Sequence, residues 1–149
     1  MGLLVTDVTL RDFRNFERLD LSLSPGVTVL VGPNAVGKTN TVEAVQLLTS
    51  GTSFRRPTPV QLVREGATSA RIDARLVGDG RVVDHRCDAT PGGRRFSRNG
   101  KRCRAADMPE ELPSVLFSPS ASTSPCWTRG TRRSRSAAPR CSRRGCACS

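Results

Sequence analysis

Eight consecutive residues of this 149-residue chain have the types and spacing that hold phosphate groups. They fit the pattern G-x-x-x-x-G-K-[ST] and are Gly32, Pro33, Asn34, Ala35, Val36, Gly37, Lys38 and Thr39. The glycines let the backbone turn tightly enough for successive N–H groups to point at phosphate oxygens. The lysine brings a cation to the β- and γ-phosphates, and the last hydroxyl can bind Mg²⁺. This phosphate loop, residues 32–39, predicts a nucleotide site in which Thr39 also binds the metal. A glycine-rich turn without a ligand is the alternative.

A phosphate loop of this kind needs a strand before it and a helix after it. Residues 27–31, "VTVLV", are almost all apolar and β-branched, which predicts a central strand covered on both faces. After the loop, Val42, Val45 and Leu48 recur at helical spacing, and Gly51 is a helix stop signal. The sequence therefore predicts a strand–loop–helix unit.

Two further strands are predicted before this unit, because residues 4–10 and 19–23 alternate between apolar and polar side chains. The residues that share one face of their own segment are Leu4, Thr6, Val8, Leu10, Leu19, Leu21 and Leu23. Pro25-Gly26 then predicts a turn. Two strands ahead of the loop are typical of ABC-type ATPase heads, and they argue against a small P-loop kinase, whose loop usually follows its first strand.

The stretch from residue 69 to residue 104 alternates again and contains three turn signals, at residues 78–80, 91–93 and 99–100. It predicts an antiparallel meander, and residues 112–119 predict a buried strand that returns to the core. We expect His85 at the surface of the meander, and Cys87 and Cys103 in packing or edge positions. Six basic residues surround the last turn, either to contact DNA phosphates or as a solvated hairpin: Arg94, Arg95, Arg98, Lys101, Arg102 and Arg104.

Residues 1–119 resemble the bacterial RecF family of recombination mediators, most strongly through residue 76. The resemblance lies in Leu10, Phe13-Arg14-Asn15-Phe16, Pro25-Gly26, the phosphate loop with Asn40, Glu43-Ala44 and Ser53-Phe54-Arg55. It implies an ABC-type, SMC-like α/β head that binds ATP and Mg²⁺ and closes as a homodimer around two nucleotides when full length. It also implies binding to single-stranded and double-stranded DNA, with recombination mediator proteins as partners, to load recombinase in repair, replication and the SOS response.

The resemblance also raises questions about three positions. Arg14 and Asn15 either approach the nucleotide or lie in a surface loop. At Ala35 the family commonly has glycine, and alanine should be tolerated there unless the backbone needs a positive φ.

The hydrolytic half of an ABC head is not found downstream of residue 40. There is no "LSGGQ"-like segment and no run of four apolar residues followed by an acidic pair. We therefore expect this chain alone to bind ATP without hydrolysing it. Strands that would flank residues 27–31 are also missing, so residues 1–119 should unfold with poor cooperativity.

The last thirty residues, 120–149, differ in composition from the rest of the chain. They carry seven arginines and no acidic residue, and hence most of the net charge of +11. They contain four cysteines and no Leu, Ile, Val, Met or Phe, so they cannot form a core. We interpret them as a disordered basic tail read out of frame from a GC-rich gene. The alternatives are a genuine arginine-rich nucleic-acid-binding tail and a metal site.

The predicted organisation is therefore a nucleotide-binding core at residues 1–67, an antiparallel β lobe at 68–119 and the tail at 120–149. No signal peptide or transmembrane-length apolar run is visible, which predicts a cytoplasmic protein with no membrane partner. Two alternatives to a RecF-type head remain: another SMC- or Rad50-like head, and a non-enzymatic basic nucleic-acid binder.

Overall fold

The computed structural model describes residues 2–110, 112 and 114, and these build one antiparallel sheet with helices on one face. The strands are β1 Leu4–Phe13, β2 Phe16–Ser22, β3 Ala70–Gly78, β4 Arg81–Thr90, β5 Gly93–Arg98 and β6 Lys101–Cys103. The helices are α1 Lys38–Ser50, the short α2 Pro59–Leu62 and a 3-10 helix over Ala105–Glu110. The strand order is β2-β1-β3-β4-β5-β6, so β1 joins the first hairpin to the meander.

The hairpin of β1 and β2 confirms the two strands predicted before the phosphate loop. A β-bulge between Val5 and Asp7 shifts the register of β1 against β3, so the side chains before the bulge lie on the opposite face from the one that strict alternation predicts. As a result Val8 is buried as predicted, whereas Leu4 is 44% exposed and Leu3 takes its place in the core. The expectation that Leu4 shares a face with Val8 was wrong for this reason.

The meander is confirmed, and its three turns lie where the glycine signals predicted them. At the last turn Asn99 has a φ of 49° and Gly100 a φ of 75°, the left-handed pair that favours Asn-Gly in tight hairpins. Both predicted segments, 1–67 and 68–119, contribute strands to the same sheet, and the boundary between them stays a prediction.

The core lies between α1 and one face of the sheet. Ala44, Leu47 and Leu48 of α1 are fully buried there, with Leu10 and Ile72 among the strand residues of the same cluster. Val45 is half-buried and Val42 is 36% exposed, so the buried stripe of the helix is rotated from the predicted one. The helix ends at Ser50 and is capped by Gly51, which is left-handed and donates its N–H to the Leu47 carbonyl oxygen.

His85 lies in this core and not at the surface. It is 1% exposed, because the alternation of β4 places it in line with the buried Val83 and Cys87. Its Nδ1 donates to the Leu48 carbonyl oxygen of α1 at 3.1 Å. The charged neighbours that suggested a solvated position alternate with it on the opposite face of the sheet.

Residues 27–31 are not a buried central strand. Val27, Val29 and Val31 are 93%, 72% and 88% exposed, and the segment has no regular secondary structure. An extended segment becomes a strand only when neighbouring strands bind its N–H and C=O groups, and no described strand pairs with this one. The strand predicted for residues 112–119 and the tail at 120–149 fall outside the described residues, apart from residues 112 and 114.

Candidate functional site

The phosphate loop is held at the start of α1 by a close approach to the first hairpin. Gly37 is buried with a φ of 115°, and the ring of Phe16 lies directly against it. Asn15, in the β1–β2 turn, donates from Nδ2 to the carbonyl oxygen of Val36 at 3.1 Å. The hairpin therefore fixes the end of the loop where the helix begins.

Lys38 binds the first residues of its own loop through its side chain. Its Nζ donates to the carbonyl oxygens of Gly32 and Pro33, both at 2.7 Å. A flexible ammonium group held only by two neutral carbonyls can turn to an anion without breaking an ion pair. This arrangement suits a lysine that binds phosphate groups.

The start of α1 offers unsatisfied donors next to the lysine. Gly37 caps the helix without a side-chain hydrogen bond, and the first turn contains no acidic residue. The first N–H groups of a helix have no partner within it, and the helix dipole makes this end positive. Together with Lys38, the helix start forms a site for an anion.

The cavity in front of this helix end has a volume of about 190 Å³. Its lining residues are Asn34, Ala35, Gly37, Lys38, Thr39, Asn40 and Arg55. Five of them are predicted nucleotide ligands, whereas Gly32, Pro33 and Val36 shape the loop without lining the cavity. Asn40 and Arg55 belong to the motifs shared with the family that the sequence resembles, and the structure places both of them at the site.

Ala35 adopts a left-handed conformation with a φ of 67°. The condition under which alanine should be unfavourable here is therefore met, because a Cβ atom crowds the following carbonyl oxygen in this region. The loop keeps its shape at a cost that glycine would avoid.

A buried carboxylate connects three chain segments behind the cavity. Glu43 of α1 is 0% exposed, and it accepts two hydrogen bonds from Arg14, at 3.0 and 2.8 Å. Ser53 Oγ donates to it at 2.6 Å, and Arg55 Nη1 lies 3.4 Å from its second oxygen. Arg14 therefore lies in the turn between β1 and β2, in line with the loop alternative, but its half-buried side chain binds Glu43 and does not line the cavity.

A second chain of hydrogen bonds joins the same segments at the surface. Asn40 donates from Nδ2 to Asn15 Oδ1 at 2.7 Å, and Arg55 Nη1 donates to Asn40 Oδ1 at 2.8 Å. Asn15 thus touches both the loop and α1. Spacing did not indicate this network, although Asn40 and Glu43 are three residues apart and so share a helix face.

Four arginines border a second cavity, of about 460 Å³, beside β5 and β6. We call it the arginine groove, and its lining residues are Pro59, Arg94, Arg95, Phe96, Arg102, Cys103, Arg104 and Ala105. Arg104 binds Asp107, whereas Arg94, Arg95 and Arg102 are exposed without a carboxylate at ion-pair distance among the described residues. On the sheet face, by contrast, arginines pair with aspartates across the strands.

Other chemistry is sparse in the described part of the chain. Cys87 is fully buried, and burial raises the pKa of its thiol to about 12, so it packs as predicted. Among residues 2–110, no group of three or more His, Cys, Asp or Glu residues could hold a metal ion. The described helices are too short or too polar to cross a membrane.

Comparison with known proteins agrees with this geometry. A family model described as an AAA domain matches residues 7–101. The chain is 42% identical over 134 residues to the DNA replication and repair protein RecF of Roseiflexus castenholzii, covering 77% of this chain and 34% of the relative. The RecF protein of Clavibacter sepedonicus is 40% identical over 118 residues, covering 78% and 29%. The chain thus spans about a third of the length of the curated relatives it matches.

Solved structures show the same fold. The recombination mediator protein RecF with ATP, in the RecFOR pathway, aligns with a TM-score of 0.73 and 25% identity over 79% of this chain and 33% of that chain. The SMC head domain from Thermotoga maritima aligns with a TM-score of 0.60 and 21% identity, covering 74% and 41%. The likeness to the SMC head is one of fold.

Proposed function

The chain belongs to the AAA-domain family and to the RecF family, and we propose that its phosphate loop binds ATP. Its described residues have the fold of an ABC-type, SMC-like head, in the part that carries the loop and the antiparallel sheet. The observation that carries the proposal is the cavity at the start of α1, where Lys38 and uncapped helix N–H groups converge.

Each group at the cavity has a distinct task in this proposal. The backbone N–H groups from Gly37 onward bind phosphate oxygens along the positive end of the helix. Lys38 turns from the carbonyls of Gly32 and Pro33 to the β- and γ-phosphates. Arg55, which is 39% exposed, adds a second cation at the rim.

Thr39 is the residue that would hold Mg²⁺. Its side chain is exposed and lines the cavity, and it is the one predicted metal ligand. A single hydroxyl suits Mg²⁺, which usually keeps several waters and takes its remaining ligands from substrate phosphates. The metal would neutralise phosphate charge there.

Binding without hydrolysis is what these residues support. No carboxylate lines the described cavity, and Glu43 is buried and committed to Arg14, Ser53 and Arg55. A general base must come within hydrogen-bond reach of the attacking water. We therefore propose that the chain alone binds ATP and does not turn it over.

DNA is the proposed macromolecular partner, through the arginine groove. Arg94, Arg95 and Arg102 present three positive charges with no acidic partner among the described residues. Arginine side chains supply the phosphate contacts that dominate affinity for DNA. By membership of the family we extend the proposal to single-stranded and double-stranded DNA, to a homodimer in a chain of the relatives' length, and to recombination mediator proteins in the cytoplasm.

Titration of the full chain with a fluorescent ATP analogue and Mg²⁺ tests the nucleotide proposal. Lys38→Ala should weaken binding by about tenfold or more, because it removes charge-assisted bonds to phosphate. Arg75→Ala is the matched control, since Arg75 binds Asp84 on the sheet face away from the loop. Equal affinities of the wild type and Lys38→Ala would refute the site.

A further inference from the structure

Glu43 is the most heavily bonded buried charge among the described residues, and the nucleotide proposal gives it no task. Its side chain is completely inaccessible, so it cannot touch a ligand in the cavity. Three groups from outside α1 converge on its carboxylate: Arg14 from the β1–β2 turn, and Ser53 and Arg55 from the segment after the helix.

Removing a carboxylate from water is costly unless charged donors replace the lost hydration. Here Arg14 replaces it on both oxygens with the paired geometry that the guanidinium group favours. Arg14 also occupies a left-handed conformation, with a φ of 56°. The ion pair therefore joins the β1–β2 turn to α1 as well as satisfying the charge.

That turn carries the contact on which the phosphate loop depends. The residue after Arg14 is Asn15, which donates to the Val36 carbonyl and accepts from Asn40. On the other side of Glu43, Arg55 is bound both to the carboxylate and to Asn40, and its guanidinium group reaches the cavity. Glu43 and Asn40 thus both contact the two arms of the network, and of the two Glu43 carries the charge and is fully buried.

We infer that Glu43 is a positioning residue for the phosphate site: Arg14 holds its carboxylate in place, and the carboxylate holds Arg55 at the rim of the cavity. The inference rests on the proposed nucleotide binding. Arginine has many rotamers, and fixing the guanidinium group beforehand lowers the entropy that binding must overcome. Glu43 therefore acts on nucleotide affinity through Arg55, without contact to the ligand.

A double-mutant cycle on the full chain separates this role from a purely structural one. The variants are Glu43→Gln, which keeps the shape of the side chain, Arg55→Ala and the double variant, each titrated with the ATP analogue. We expect each single change to weaken binding by about tenfold and the double variant to be no weaker than Arg55→Ala alone. Asp73→Asn is the matched acid-to-amide control, because Asp73 binds Arg86 across the sheet.

Other outcomes overturn the inference in distinguishable ways. If the wild type does not bind the analogue, the proposed function fails and the inference fails with it. If the wild type binds and Glu43→Gln binds equally well, or if the two losses multiply, the positioning role alone is refuted. Should Glu43→Gln not fold, Arg14→Lys replaces it in the same cycle, since lysine keeps the charge but loses the paired geometry.

Discussion

Gly37 and Phe16 meet so closely that no side chain fits between them: a Cβ atom on Gly37 would lie 2.3 Å from Phe16 Cζ. The second glycine of the phosphate loop is therefore required by packing against the hairpin as well as by its φ of 115°. The loop and the hairpin form one unit, although 20 residues lie between Phe16 and Gly37 in the chain.

The first prediction concerns this contact. Gly37→Ala should lower the free energy of unfolding by about 1–3 kcal/mol and abolish nucleotide binding, because the clash and the backbone strain both act on the loop. Adding Phe16→Ala to Gly37→Ala should recover only the part of the lost free energy of unfolding that is due to the clash, and not the part due to backbone strain. Chemical denaturation and titration with the ATP analogue measure both effects. Gly92→Ala is the control, since its nearest neighbour would be 3.8 Å away.

The second prediction concerns Ala35, whose φ of 67° favours glycine. Ala35→Gly should raise the free energy of unfolding by about 1 kcal/mol, because the left-handed conformation costs alanine that much. Ala106→Gly should instead be neutral or destabilising, since Ala106 lies in the 3-10 helix outside the positive-φ positions. Urea unfolding of both variants measures these changes in the free energy of unfolding. A loss of stability in Ala35→Gly would show that the backbone at Ala35 is not strained.

The third prediction uses the exposed valines. Val29→Thr should change the free energy of unfolding by less than about 0.5 kcal/mol, because Val29 is 72% exposed. Val83→Thr places the same hydroxyl at a position that is 4% exposed, and should cost about 1–3 kcal/mol. Equal costs in urea unfolding would mean that residues 27–31 are buried as a strand after all.

The fourth prediction follows from the buried thiol of Cys87. Burial raises its pKa from 9.0 to about 12, so the unfolded chain loses this proton at a lower pH than the folded chain. Stability is then fully present below pH 9 and falls as the pH rises toward 12, by up to about 1.4 kcal/mol per pH unit.

Urea unfolding under reducing conditions at about pH 8 and about pH 10 measures this dependence. Cys87→Ala should lose most of the slope, although it is less stable at both pH values. Cys103→Ala should keep most of the slope, because Cys103 is only partly buried and burial raises the pKa of its thiol less strongly. If the pH dependence of the free energy of unfolding is unchanged in Cys87→Ala, it comes from other groups.

The strands of the meander and the two strands before the loop were predictable, because antiparallel sheets with one covered face alternate in sequence. The phosphate loop was predictable because its glycines and lysine are required by phosphate geometry. Burial of His85 was not, since its neighbours in sequence lie on the opposite face and its partner, Leu48, is 37 residues away.

The network around Glu43 could not be predicted for a related reason. Its members, Arg14, Glu43 and Arg55, come from separate segments, and only the fold brings them together. For residues 27–31 the prediction of a central strand was wrong, because a strand exists only where neighbouring strands supply its hydrogen bonds. Local sequence reports the preference of a segment and not the presence of its partners.

The last prediction distinguishes the arginine groove from a solvated hairpin. Replacing Arg94, Arg95 and Arg102 together with alanine should weaken DNA binding and lower its dependence on salt, by about 0.9 in log–log slope for each lost phosphate contact. The matched control replaces Arg18, Arg71 and Arg75 with alanine. This variant loses the same three positive charges, but in the folded chain these arginines bind aspartates.

Fluorescence anisotropy with single-stranded and double-stranded DNA over a range of salt concentrations measures both triple variants. If they lose equal affinity, net charge and not the groove is responsible. Deleting residues 120–149 tests the remaining source of positive charge, because those residues carry seven arginines. Binding that survives the deletion and disappears with the groove variant places the DNA on β5 and β6, whereas the reverse result assigns it to the last thirty residues.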